Sequence, residues 1–204
     1  MPGCGVGEKA AEALGLRPGT PIGIGMIDAH AGGIGCLGAE VDRSSHAEGM
    51  DVKLEGRLGL IAGTSTCHMA SSITPCFVPG VWGPYYSAMF PGLYLNEGGQ
   101  SAAGAFLDFI IASHPAGSVV KAAAEAASEP PAAYLNRKLE QMANAKGGSV
   151  SELAADVHIT PDVNGNRSPL ADPSMRAGVV GISFAVSEEE LAILYLASVQ
   201  VWRW

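Results

Sequence analysis

Short apolar runs that end at polar or glycine-rich positions predict strands in the first part of the chain. Pro21–Ile27 is apolar and stops at Asp28, a pattern typical of a buried strand that leads into a helix. Arg57–Ala62 runs into Gly63–Ser65 and continues through Cys67–Ala70, which predicts a strand, a tight turn and a second strand.

Helical periodicity replaces this pattern further along the chain. Residues 75–96 are rich in proline, glycine and aromatic side chains, which favours short strands and loops. Glu97–Ser101 is then predicted to open a helix, because an apolar stripe follows at helical spacing: Ala103, Phe106, Leu107, Ile110 and Ile111. Two more helices are predicted at 118–128 and 131–146, the second between a proline pair and a glycine pair.

The last part combines an irregular segment with a final helix. Residues 158–173 are expected to be irregular, and 176–184 to contain a short strand. Ser187–Glu190 has the sequence of a capping box, and the stripe after it should face a core: Leu191, Leu194, Tyr195 and Val199. No C-terminal cap precedes Trp204, so this helix is expected to be cut short, as in a truncated domain.

These elements predict an α/β protein. Residues 1–17 are interpreted as a variable lead-in whose one amphipathic turn stops at Gly15. Residues 18–204 are interpreted as a single, partial domain.

Composition and charge limit the classes of function. Hydrophobic residues make up 48% and charged residues 16% of the 204 positions, so the chain can bury a core. The formal net charge of -8 disfavours nucleic acids and anionic membranes as partners. A nest of backbone N–H groups can nevertheless bind phosphate in an acidic protein.

The cysteines and the termini predict a soluble, cytosolic protein with no metal site of its own. Charged residues within Met1–Leu14 argue against a signal peptide, and no apolar stretch is long enough to cross a bilayer. The cysteines are scattered without the spacing of a zinc site or a disulfide framework: Cys4, Cys36, Cys67 and Cys76.

Asp28 is the first candidate for chemistry. A carboxylate at the exit of an apolar strand is poorly solvated unless the strand end opens into a cleft, and ligands of open α/β sheets bind at that end. A half-buried carboxylate there can take the proton of a hydroxyl that attacks a phosphoryl group. By spacing alone, however, a helix N-cap explains Asp28 better. His30 is expected to be a packed or capping histidine.

Gly63, Thr64 and Ser65 form the second candidate. A glycine that turns the backbone, followed by hydroxyl side chains, can make a small anion nest for the β- or γ-phosphate of a nucleotide. A plain hairpin turn suits the same residues, so both interpretations stand.

Two further glycine-bearing segments allow two interpretations each. Glu97–Gln100 sets a carboxylate and a carboxamide beside paired glycines, which suits a polyol ligand but also a flexible helix start. Asn164–Pro169 is rich in turn-forming residues and has Arg167 at its centre. It either lines a site or forms a surface turn.

Taken in chain order, five segments resemble the C-terminal half of the FGGY carbohydrate kinases, in their ribulokinase-like branch. Five motifs in the right order are more specific than any one of them. The resemblance covers about residues 18–200, and the matching segments are Met26–Gly33, Ile61–Met69, Phe77–Tyr85, Leu95–Ala102 and Pro161–Pro173.

The resemblance implies an actin-like, ribonuclease-H-like ATPase fold in which two domains enclose a cleft. It also implies phosphorylation of a ketopentose or polyol by ATP, with Mg²⁺ neutralising charge on the phosphates. The site residues that it implies are Asp28 as catalytic base and sugar contact, Glu97 as sugar contact, and Gly63, Thr64, Ser65, Gly104 and Asp108 as nucleotide contacts.

The sequence also departs from the family pattern. Family members carry an N-terminal domain with a phosphate loop and most sugar contacts, and a later adenine-binding motif. Neither is found in this sequence, so the resemblance implies a missing N-terminal kinase domain as partner and leaves a homodimer open. The alternatives are a catalytically inactive truncated form and a sugar-binding or regulatory fragment.

Overall fold

A computed structural model describes residues 5–23, 25–39 and 54–201 of the chain. The helices are α1 (Glu8–Leu14), α2 (Asp28–Gly38), α3 (Gly104–Ser113), α4 (Gly117–Ala126), α5 (Pro131–Lys146) and α6 (Glu188–Gln200). The strands are β1 (Leu58–Ala62), β2 (Thr66–Ser72), β3 (Trp82–Tyr86), β4 (Tyr94–Gln100), β5 (His158–Thr160) and β6 (Gly178–Val180). A 3₁₀ turn at Val150–Glu152 follows α5.

Four strands form an antiparallel sheet in the order β1-β2-β4-β3, and β5 pairs with β6 in a separate ladder. The predicted strand, turn and strand on either side of Gly63–Ser65 are confirmed as β1 and β2, which pair from Leu58↔Ala70 to Ala62↔Thr66. The strand expected within 176–184 is confirmed as β6. The prediction that 158–173 is irregular is wrong at its start, because His158–Thr160 form β5 and pair with β6.

The predicted start of a helix at Glu97–Ser101 is wrong. Tyr94–Gln100 forms β4, which pairs with β2 on one side and β3 on the other. At the start of a helix, backbone N–H groups have no partner within the helix, whereas here the two neighbouring strands supply hydrogen-bond partners on both sides. The helix begins instead at Gly104, and its predicted apolar stripe is confirmed, since Phe106, Ile110 and Ile111 are buried.

The buried strand predicted at Pro21–Ile27 is also wrong. Ile22 is 64% exposed and Ile27 is 62% exposed, and the described part of the run forms one isolated bridge, Gly5↔Pro21. Ile24 lies outside the described residues. An apolar run becomes a buried strand only when neighbouring strands pair with it, and no described strand does so here. Asp28 therefore follows an extended, exposed segment.

Helices α3 to α6 pack around one of two apolar clusters. The helices predicted at 118–128 and 131–146 are confirmed as α4 and α5, and α5 ends at Gly147, whose φ of 67° suits a residue without a side chain. The buried members of this cluster are Ala102, Phe106, Ile110, Ile111, Ala116, Val120, Leu135, Leu139, Leu191, Ala192 and Tyr195.

The second cluster lies between the sheet and α2. Its buried members are Leu37, Leu54, Cys67, Met69, Met89, Leu93 and Leu95. The turn between β1 and β2 joins the two clusters, because the N–H groups at the start of α3 donate to its carbonyl oxygens. The candidate site is built at this junction.

The predicted helix ends are partly confirmed. Helix α1 stops at Gly15, as expected, in the left-handed conformation. Ser187 caps α6 by accepting a hydrogen bond from the N–H of Glu190, but the Glu190 carboxylate accepts from Ser183 N–H, so the reciprocal half of a capping box is not made. Helix α6 ends at Gln200 rather than inside a run to Trp204, and residues 202–204 lie outside the described residues.

Candidate active site

A cleft of about 550 Å³ lies between the start of α2 and the β1–β2 turn. It brings together Asp28, the three turn residues Gly63–Ser65 and Glu97, which are separated by up to 69 positions in the chain. The other lining residues are Ile27, Ala29, Ile61, Ala62, Cys67 and Arg167.

Asp28 is the first residue of α2, where the helix dipole favours a negative charge. Its Oδ1 accepts a hydrogen bond of 2.8 Å from the N–H of Ala29. Ile27 occupies the N-cap position, so the alternative of an N-cap aspartate is wrong. The expectation of a half-buried carboxylate is wrong as well: Asp28 is exposed, because the segment before it is not part of a sheet. The carboxylate is thus free to meet a ligand in the cleft.

The turn between β1 and β2 is fixed to the N-terminus of α3. Gly104 N–H donates to Gly63 O at 2.9 Å and Ala103 N–H donates to Thr64 O at 2.8 Å. Gly63 N–H bonds across the turn to Ser65 O at 2.9 Å. Within the described residues, the N–H groups of Thr64 and Ser65 have no hydrogen-bond acceptor. Two unused donors on one turn can bind an anion such as phosphate.

Gly104 allows the close contact between the turn and α3 because it has no side chain. A Cβ built at Gly104 would lie 2.6 Å from Gly63 O, too close for any real contact. Gly104 also lines a second cavity, of about 420 Å³, beside α3. Asp108 lines that second cavity and not the first, together with apolar groups and Lys121. The contact between Gly63 and Gly104 therefore lies between the two cavities.

Glu97 occupies the middle of β4 and points toward α2. Its Oε2 lies 3.2 Å from the Nε2 of His30, and the two side chains are only 13% and 10% exposed. The expectation that His30 is a packed histidine is confirmed, since the residue is buried.

Arg167, which the sequence left open, lies at the cleft. Its guanidinium stacks 5.1 Å from the centre of the Trp82 ring, a cation–π contact that holds the charge in place. The loop around it is pinned by Ser101 Oγ, which donates to Gly165 O at 2.7 Å, and by Ser168 Oγ, which donates to Gly80 O at 2.8 Å. The surface-turn interpretation is therefore wrong for this residue.

Cys67 is a lining residue that the sequence did not single out. Burial raises the pKa of its thiol, the neighbouring Glu97 raises it further, and Arg167 opposes both effects. The thiol is therefore protonated near neutral pH. No sequence signal marks Cys67, since its place in the cleft depends on the pairing of β2 with β4.

Other polar groups lie away from the cleft. Burial lowers the pKa of His68, which lines a pocket elsewhere on the sheet, beside Leu58 and Asn96. His158 is exposed on β5. In the described part of the chain, no three His, Cys, Asp or Glu side chains are grouped to hold a metal ion. None of the helices within those residues is both long and apolar enough to span a membrane.

Comparison with known proteins adds to this geometry. Residues 58–200 match the FGGY family of carbohydrate kinases, C-terminal domain. An FGGY carbohydrate kinase domain-containing protein of Xenopus laevis is 48% identical over 98% of this chain and 36% of its own length. The Homo sapiens protein of the same description is 46% identical over 97% of this chain and 35% of its own length.

A D-ribulokinase of Saccharomyces cerevisiae is 41% identical, over 94% of this chain and 28% of its own length. The chain thus spans about a third of the length of the curated relatives that it matches.

Solved structures share the fold. A gluconate kinase from Lactobacillus acidophilus superimposes with a TM-score of 0.59 over 96% of this chain and 32% of its own length, at 16% identity. A ligand-bound xylulose kinase from the same species gives a TM-score of 0.57 over 94% and 32% of the two chains, at 18% identity. The chain therefore has the actin-like, ribonuclease-H-like fold of these sugar kinases, in part.

Proposed function

Because the chain belongs to the FGGY family of carbohydrate kinases, we propose that it supplies one wall of an active site that transfers the γ-phosphoryl group of ATP to a sugar hydroxyl. In this reaction the hydroxyl oxygen forms a bond to the γ-phosphorus and the bond to the ADP oxygen breaks. The hydroxyl proton passes to the carboxylate of Asp28, which acts as general base.

One observation carries this proposal: Asp28, the Gly63–Ser65 turn and Glu97 line the same cleft. Phosphoryl transfer needs an anion site, an acceptor site and a base between them. The unused N–H groups of the turn suit the phosphates. The Glu97 carboxylate suits the hydroxyl groups of a sugar, and among the described residues the exposed Asp28 bonds only to its own helix.

The nucleotide is proposed to extend from the turn into the second cavity. Gly104 and Asp108 line that cavity, and Gly104 touches the turn. A largely apolar cavity with a carboxylate at its rim suits a base and a ribose. Gly63, Thr64, Ser65, Gly104 and Asp108 would then contact one ATP molecule.

Magnesium fits this arrangement as a companion of ATP. The ion is commonly held by one or two carboxylates together with substrate phosphates, rather than by an all-protein cage. The cleft offers the carboxylates of Asp28 and Glu97. When bound, the ion would neutralise charge on the phosphate oxygens during transfer.

A pentulose is the proposed acceptor. The yeast relative is a D-ribulokinase, 41% identical over 94% of this chain. D-Ribulose is therefore the first substrate to test, ahead of other ketopentoses and polyols.

The second wall is proposed to come from an N-terminal kinase domain. Residues 18–204 would form the partial C-terminal domain and 1–17 a lead-in, with the protein acting in the cytosol, as a monomer or a homodimer. Correct positioning contributes roughly 7–11 kcal/mol to lowering a reaction barrier. The 204-residue chain on its own is thus expected to be nearly inactive. The alternative function is that of a non-catalytic sugar-binding fragment, which would use the polar cleft with Glu97 and need no nucleotide.

Sugar-dependent release of ADP from Mg·ATP tests the proposal. The full-length protein that carries this chain and the 204-residue chain are assayed side by side with D-ribulose, D-xylulose, ribitol and D-gluconate. We expect saturable release with D-ribulose in the full-length protein only. If none of the four stimulates ADP release in the full-length protein, the proposed kinase activity on pentuloses and these polyols is refuted, and sugar binding that is unaffected by nucleotide would favour the binding fragment.

A further inference from the structure

A buried histidine joins α2 to the centre of the sheet beneath the cleft. His30 is 7% exposed, and its Nε2 lies 3.2 Å from Oε2 of Glu97 on β4. We propose that His30 is a positioning residue: it holds the Glu97 carboxylate toward the acceptor sugar and seats the helix that carries Asp28. This inference rests on the proposed function, because it assigns Glu97 to the sugar.

The backbone of Glu97 is fixed, but its side chain is not fixed by the sheet. Glu97 stands opposite Met69 of β2 and Trp82 of β3, so the ladder sets the position of its Cα. A glutamate side chain still has three rotatable bonds, and ordering it costs conformational entropy. A hydrogen bond from a buried donor is what selects one rotamer.

His30 is the strong donor available to this carboxylate among the described residues. A carboxylate in its ionised form only accepts hydrogen bonds, and the His30 tautomer that carries its proton on Nε2 is the one that donates to it. The Cys67 thiol also faces Glu97, but a thiol is a weak donor. His30 is not among the residues that line the cleft. Its effect on sugar binding therefore passes through Glu97, and its effect on Asp28 passes through the position of α2.

The same contact fixes the direction of α2. Gly33, nearly one turn after His30, lies so close to the core that a Cβ there would be 2.6 Å from the sulfur of Met89 and 3.0 Å from that of Met69. A rigid helix held at two points on one face has a fixed first turn. His30 and Gly33 are those two points, and Asp28 is the first residue of the turn that they locate.

Two nearly isosteric substitutions separate the hydrogen bond from simple packing. His30→Gln keeps an N–H donor at about the reach of Nε2, whereas His30→Met has a similar shape and no donor. Crystal structures of both variants report the Glu97 rotamer directly, without any need for turnover. We expect Glu97 to keep its place in His30→Gln and to leave it in His30→Met.

Kinetics of the full-length protein form the second readout. We expect His30→Met to raise the KM for D-ribulose by about tenfold, the effect of losing one hydrogen bond to a charged group, with the KM for ATP unchanged. His30→Gln should restore the sugar KM to near the wild-type value. In a Glu97→Gln background, His30→Met should add little, because the two residues act as one unit.

Each outcome decides the inference. A Glu97 carboxylate that stays in its wild-type place in His30→Met overturns it, as does an equal rise in sugar KM with and without Glu97. If His30→Met does not fold, His30→Asn replaces it, since the shorter amide keeps a polar group but cannot span to Glu97. A wild-type protein without sugar kinase activity would refute the proposed function, while the crystal structures would still decide whether His30 positions Glu97.

Discussion

Because Gly104 has no side chain, α3 can begin in direct contact with the β1–β2 turn. We expect Gly104→Ala to push on Gly63 O, which a Cβ would approach to 2.6 Å. The free energy of unfolding should fall by about 1–3 kcal/mol, as in other overpacked sites, and ATP binding should weaken because the turn moves. Urea unfolding and calorimetric titration with ATP measure the two effects.

Gly35→Ala is the matched control for that substitution. Gly35 is also helical, and a Cβ there would meet no atom within 4 Å. This variant should gain up to about 1 kcal/mol, because alanine is the better helix former. An equal loss of stability in both variants would contradict the close contact at Gly104.

Cys67 gives a second prediction for a single residue. Because burial raises the pKa of its thiol, the reactive thiolate forms at a higher pH than in an ordinary cysteine. Iodoacetamide should therefore modify Cys67 more slowly near neutral pH than the exposed Cys36 and Cys76, and the rate at Cys67 should climb as the pH rises. Peptide mapping by mass spectrometry measures the three rates. Fast labelling of Cys67 near pH 7 in the folded protein would refute the prediction.

Individual site residues differ in how far the sequence could predict them. Asp28 and the Gly63–Ser65 turn stand next to recognisable apolar runs, so their types and spacing could be noticed, and their roles stay predictions. His30 and Arg167 could not be assigned in this way. Their importance depends on contacts with Glu97 and Trp82, which lie 67 and 85 positions away.

Among the elements, β4 shows where a local pattern fails. Paired glycines before an apolar stripe resemble a helix start, and the sequence of Glu97–Ser101 contains no strong strand former. The neighbouring strands β2 and β3 decide the outcome, because they supply hydrogen bonds on both edges of β4. The helices α4 and α5 were predictable, since helical hydrogen bonds are local.

Helices α5 and α6 are joined by a surface cluster that responds to acid. Tyr134 donates to Glu188, and Lys138 Nζ lies 2.6 Å from Glu189. Hydrogen bonds lower the pKa of Glu189 from 4.5 to about 2, the largest effect coming from Lys138 and smaller ones from the Glu189 backbone and the Ser187 side chain. Because the pKa of Glu189 is lower in the folded protein than in the unfolded chain, the ionised carboxylate stabilises the fold at pH values above 4.5. This stabilisation is lost as the pH falls toward about 2.

Lys138→Met tests this cluster. Since Glu189 is 49% exposed, the variant should lose only about 0.2–1 kcal/mol near pH 6, and the loss should shrink near pH 3. Urea unfolding at both pH values measures the difference. The exposed Lys146→Met, on the same helix, controls for removing a positive charge. A loss that is the same at both pH values would rule out a contribution from the ion pair.

For the whole molecule, the order of motifs carried more information than any single motif. Five ordered segments indicated the family, and the match over residues 58–200 confirms it. Local patterns could not predict which segments meet in the cleft, because antiparallel pairing brings β4 beside β2 over a long separation, whereas the family resemblance already grouped Asp28, Gly63–Ser65 and Glu97. The exposed run before α2 shows a different failure. Its sequence has the pattern of a strand, but no described strand pairs with it in a sheet.

Asp28 is proposed to accept the proton of the sugar hydroxyl during transfer from ATP. Single-turnover transfer of labelled γ-phosphate to D-ribulose, followed by rapid quench in the full-length protein, measures that step directly. Glu8→Gln is the control, because Glu8 is the first residue of α1 as Asp28 is of α2.

We expect Asp28→Asn to slow phosphoryl transfer by about 10²–10⁴-fold, with the affinities for ATP and D-ribulose kept and Glu8→Gln unchanged. Transfer by Asp28→Asn at the wild-type rate would contradict the assignment of Asp28 as the base.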